Sequence, residues 1–89
     1  MKDDELFARV DRVLWEDWDP IGVRALGGPD DEYRGYVPSI LALLRSGATE
    51  AELSERLASL RCLSMGLARN DAHDRRAAHI LVTILDGRR

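Results

Sequence analysis

Thr49-Glu50-Ala51-Glu52-Leu53-Ser54-Glu55-Arg56-Leu57-Ala58-Ser59-Leu60 is the stretch that decides the fold. Thr49 followed by Glu52 is the pattern of a capping box, in which each side chain satisfies the other residue's backbone amide. Leu53, Leu57 and Leu60 then recur at helical spacing and mark one buried face. A helix starts here, and Gly66 closes it. Downstream, the pattern predicts another helix from Asn70 or Asp71 to Asp86, burying Ala77, Ile80, Leu81, Ile84 and Leu85 before Gly87. Upstream, Leu6, Phe7, Val10, Val13, Leu14 and Trp18 form a stripe on a helix running from Asp3 or Asp4 to Glu16.

Between these lies a segment broken by punctuation. Asp30-Asp31-Glu32 can cap exposed amides, and Tyr33, Tyr36 or Val37, Ile40, Leu41 and Leu44 are its apolar positions before Gly47 stops it. Pro38 would remove the hydrogen bond to Arg34 inside a continuous helix, so this helix is expected to be kinked, or broken into a short turn and a helix beginning near Pro38. Glu52 with Arg56 and Asp71 with Arg75 are spaced for ion pairs one turn apart. Strand signals are nearly absent. The expected fold class is all-α: a single domain over residues 1–89, packed as a compact bundle of about four helices.

Composition excludes several classes of function. With 45% hydrophobic and 33% charged residues the chain should fold rather than remain disordered. Its longest apolar run, Ile40-Leu41-Ala42-Leu43-Leu44, is far short of the ~20 residues a bilayer requires. The amino terminus, Met1-Lys2-Asp3-Asp4-Glu5, is acidic where a secretory signal is basic and then apolar, which points to the cytoplasm. One cysteine, Cys62, makes no internal disulfide and cannot build a zinc site without several other ligands. Residues 1–44 carry a net charge of −5 and residues 45–89 a net charge of +2. Such a division marks a candidate partner-facing acidic surface, although carboxylates at helix starts and arginines at helix ends produce a similar pattern.

The densest aromatic and polar cluster is Trp15-Glu16-Asp17-Trp18-Asp19-Pro20-Ile21-Gly22, followed by Asp30-Asp31-Glu32-Tyr33. In the functional reading Trp15, Trp18, Asp19, Asp30, Asp31 and Tyr33 form an interaction face, because aromatic side chains and complementary charge are what interface centres use. In the structural reading the tryptophans pack the first helix onto the bundle while Asp19 accepts hydrogen bonds from loop amides near Gly22. Asp17, Asp19, Asp30 and Asp31 offer hard oxygens, but their spacing matches no calcium loop, and no metal or other cofactor is expected. His73 and His79 are six residues apart, on opposite sides of a helix, which argues against a shared metal, and His73 is expected to face solvent or cap amides. No serine sits in a recognisable nucleophile turn.

The string Trp18-Asp19-Pro20-Ile21-Gly22, then Asp31-Glu32-Tyr33, Tyr36 and a helix ending at Gly47, resembles the YugE-like family of small uncharacterised bacterial proteins. The resemblance spans residues 6 to about 65 and implies a helical, cytoplasmic bacterial protein with no assigned activity. Ala48 to Leu57 also resembles the first helix of a helix-turn-helix, but the helix that follows carries Asp71 and Asp74 in the turn that would meet phosphate or bases. The leading expectation is a non-enzymatic protein-binding module, of accessory or immunity type. The alternative is a nucleic-acid-binding regulator using the capped third helix and the arginine-rich carboxy-terminal end, and self-association is left open.

Overall fold

Each helix forms where the apolar period is sustained, and the first three are followed by an identifiable backbone device. The computed structural model describes residues 3–22, 25–28 and 31–86, without the side chains of residues 3, 85 and 86. It contains α1 (Asp3–Val13), α2 (Val37–Arg45), α3 (Glu50–Ser59) and α4 (Asp71–Asp86), with no strand among the described residues. The protein is therefore an all-α bundle, 35 × 25 × 18 Å. Here α3 lies along α4, while α1 packs on both α2 and α4.

The capping box forms as the sequence indicates. The Glu52 amide donates to Thr49 Oγ1 at 3.1 Å and the Thr49 amide donates to Glu52 Oε1 at 2.8 Å. Of the two outcomes expected at Pro38, the break is the one observed. Arg34–Tyr36 form a tight 3₁₀ turn, and α2 begins at Val37 with the proline in its first turn, where its missing N–H costs nothing. Gly47 ends α2 in the left-handed region (φ 83°). The Ala48 amide reaches back to the Leu43 carbonyl (3.0 Å) and the Gly47 amide to that of Leu44 (3.2 Å), a Schellman closure.

The ends of α1 and α3 depart from expectation. Each continues into a wider, π-helical turn, Leu14–Trp18 and Leu60–Ser64. These turns are closed by Asp19 N–H to the Leu14 carbonyl (2.9 Å) and Met65 N–H to the Leu60 carbonyl (3.1 Å). Asp19 then takes a left-handed conformation (φ 31°), which aspartate tolerates better than most side chains.

Val10, Leu14, Trp18, Tyr33, Val37, Ile40, Leu53, Leu57, Ala77 and Leu81 make the centre of the core. On α4 the buried stripe is Asp74, Ala77, Ala78 and Leu81, whereas Ile80 and Ile84 are only half-buried and the Leu85 side chain lies outside the described set. Burial thus reaches further toward the helix start than the sequence suggested, with Ile80 and Ile84 packed at the edge of the core. Neither expected one-turn ion pair forms: Glu52 is committed to its cap, and Asp71 pairs with Arg69 at 2.9 Å instead of Arg75.

Candidate functional site

The two π-helical turns deliver their side chains to one carboxylate. Trp18, from the first, donates its indole Nε1–H to Asp74 Oδ1 at 2.8 Å. Arg61, from the second, donates to the same carboxylate through Nη2 (2.7 Å) and Nε (3.1 and 3.3 Å to the two oxygens). Asp74 is fully buried and Arg61 is only 5% exposed. His73, next in sequence to Asp74, is half-buried with Nε2 against the Trp18 carbonyl, so it neither faces open solvent nor caps a helix start. Asn70 takes that role through its side chain, accepting from the His73 amide at 3.2 Å.

A second lock joins the Trp18-Gly22 bend to the segment before α2. The Tyr33 hydroxyl donates to Asp19 Oδ1 at 2.5 Å and accepts from the Ile21 amide at 3.2 Å. The Gly22 amide goes to the main-chain carbonyl of Asp19 (3.1 Å). Burial, and then the hydrogen bond to Asp19, push the Tyr33 phenol well above its ordinary value near 10. Its ring lies 5.6 Å from Trp18 and 6.4 Å from Trp15 in tilted arrangements, and Trp18 also meets Tyr36 edge-on at 6.5 Å.

Trp15, Trp18, Asp19 and Tyr33 therefore come together, but not as one open face. Trp18 (0% exposed) and Tyr33 (1%) are core residues and offer a partner no side-chain surface, because their rings fill the junction of α1, α2 and α4. Trp15 is half-buried, Asp31 is exposed, and Asp30 lies outside the described residues.

What remains accessible is a concavity of ≈ 320 Å³ lined by Ala8, Asp11, Arg12, Trp15 and Glu16 of α1 and its following turn, together with Arg34. Positions 8, 11, 12, 15 and 16 are one helical stripe, so this wall was legible from spacing once Trp15 was taken as its centre. Arg34 directs both Nε and Nη2 to Asp11 Oδ2, each at 2.9 Å. Asp11 Oδ1 is buried without a hydrogen-bond partner among the described residues. Arg12 and Glu16 stand 3.6 Å apart at the rim. No group of three or more potential metal ligands occurs among the described residues. His79, for its part, is taken up by Glu50 at 2.7 Å on the opposite side of α4 from Asp74.

No protein-family model, curated protein or solved structure matches the chain. The fold and its surfaces define a small four-helix domain, and any functional reading comes from the surfaces themselves.

Proposed function

We propose that this chain is a non-enzymatic protein-binding module, of accessory or immunity type, acting in the cytoplasm and docking through the α1 face around Trp15. The observation that supports it is a half-buried tryptophan set in a concavity with charged walls, the arrangement that seats a partner's anchoring side chain at an interface centre. Exposed Asp4, Glu5, Glu16, Asp17, Asp31 and Glu32 belong to the half of the sequence with net charge −5, so the matching partner surface is basic. Among the described residues no helix is long and apolar enough to cross a membrane. The resemblance to YugE-like proteins is compatible with this reading and contributes no activity of its own. For the alternative, nucleic-acid binding through the third helix and the arginine-rich end, Arg88 and Arg89 lie outside the described residues, and the exposed carboxylate at the start of α4, Asp71, pairs with Arg69.

The test is capture of partners from the native host by the tagged protein, side by side with Trp15→Ala and Asp31→Lys, with the melting temperature of each recorded. Trp15→Ala should abolish recovery of a specific protein. Asp31→Lys should weaken it, mainly through slower association at low salt. Recovery unchanged in a folded Trp15→Ala protein would move the docking surface elsewhere.

A further inference from the structure

A second surface, away from Trp15, lies between α2 and α3. Two hollows of ≈ 510 Å³ and ≈ 300 Å³ meet there, the first lined by Leu43, Ala51, Glu52, Glu55 and Arg56, the second by Ser39, Ala42, Leu43 and Arg56. Leu43 and Arg56 belong to both, so the hollows form one trough with an apolar floor. Positions 39, 42 and 43 are one stripe of α2, and positions 51, 52, 55 and 56 are one stripe of α3. The charges on the rim are of both signs. Arg56 has no ion-pair or hydrogen-bond partner among the described residues, even though Glu52 precedes it by one turn, because the Glu52 carboxylate is turned back to the Thr49 amide. Glu55 makes only an exposed 3.3 Å contact with Arg69, which Asp71 also holds.

We infer that the occupant of this trough is a second copy of the chain, forming a two-fold symmetric dimer. A patch that sets an unpaired cation, Arg56, beside the exposed carboxylate of Glu55 along an apolar floor presents both partners of an ion pair to its own two-fold copy. A two-fold axis beside Leu43, level with residues 55 and 56 of α3, sets Leu43 against its counterpart and brings Arg56 of each copy to the second copy's Glu55. The reciprocal pairs hold the register, and covering the apolar floor supplies the association energy. A partner of a single charge sign would leave part of this rim opposed to like charge.

The experiment is sedimentation equilibrium on the unmodified protein, on Arg56→Glu, on Glu55→Arg and on an equimolar mixture of the two variants. Both residues are exposed, so unchanged melting temperatures establish that each variant is folded. The unmodified protein should self-associate. Each variant alone places like charges across the two-fold axis and should dimerise at least about tenfold more weakly, a loss of roughly 1.4 kcal/mol. The mixture restores two opposite-charge contacts and should associate again as a heterodimer. A monomeric unmodified protein up to millimolar concentration overturns the inference, whether or not some other molecule fills the trough. So does a mixture no more associated than its components, or a dimer indifferent to both substitutions.

Discussion

Trp18 and Asp74, 56 positions apart, meet inside the bundle with the indole N–H 2.8 Å from the carboxylate and no exposed surface on either residue. The same carboxylate faces the Arg61 guanidinium, so a buried anion is matched by a charged and a neutral donor. Such a group contributes less as a gain than it costs when broken, since removing one partner strands the other away from water.

Asp74→Ala should accordingly lower stability by about 3–5 kcal/mol, leaving Arg61 an uncompensated buried cation. Replacing both charges, Asp74→Leu with Arg61→Met, should cost less than the single change, with the remaining loss of roughly 1–3 kcal/mol coming from the stranded Trp18 indole. Urea unfolding of the three proteins measures this. A double variant less stable than Asp74→Ala would show that the ion pair is not what the interior is built around.

Asp19→Asn should destabilise by roughly 1–2 kcal/mol more than Asp17→Asn. Asparagine keeps the tolerance for φ 31° at this position, so the substitution removes the carboxylate charge, including its charge-assisted bond to the Tyr33 hydroxyl, without changing the bend. Asp17 is exposed, and its loss should be close to silent. Equal shifts in the denaturation midpoints would remove the bend-locking role of Asp19.

Tyr33 ties stability to alkaline pH. Its folded-state pKa is raised, so the native protein retains a proton that the unfolded chain loses above about pH 10. Stability from this group is complete below that pH and falls by roughly 1.4 kcal/mol per pH unit above it, until the folded phenol itself ionises. Tyrosinate absorbance should show one of the two tyrosines ionising only as the protein unfolds, and Tyr33→Phe should abolish that late step. Two tyrosines titrating together in folded protein would contradict the buried geometry.

Thr49→Ala should cost about 1 kcal/mol by releasing the Glu52 amide at the start of α3. Cys62→Ser should change stability by less, because the thiol is half-buried rather than central, and should leave partner capture intact. Thermal melts order the two. A folded Cys62→Ser protein that lost its partner would put the thiol at the working surface.

The elements themselves were legible because they rest on local rules. The capping box at Thr49, the break at Pro38 and the stop at Gly47 each follow from one or two neighbouring residues, and all three form. The interior polar network was not read, although its signal existed. Asp74 stands at helical spacing from Ala77, Ala78 and Leu81, and Arg61 stands one turn after Leu57, so both lie on buried faces. A charged residue on an apolar stripe asks for a partner, and the residue supplying it sits on a different helix. Trp18 stood on the apolar stripe of the first helix with Val10 and Leu14, and it is buried; what spacing did not show is that Trp15, off that stripe, lies against Tyr33 and lines the concavity. The wider turn after Val13 was not legible either, since no single residue announces a departure from α-helical register.

Two donors on one carboxylate, drawn from the turns after α1 and α3 onto the start of α4, also determine how the chain can be divided. A fragment ending at Gly47 keeps Trp18 without its acceptor, and one beginning at Ala48 keeps Asp74 and Arg61 without the helix that shields them from water. Neither piece can complete an interior. A chain nicked between α2 and α3 should therefore give two halves that acquire structure only in each other's presence, despite its short, local helices.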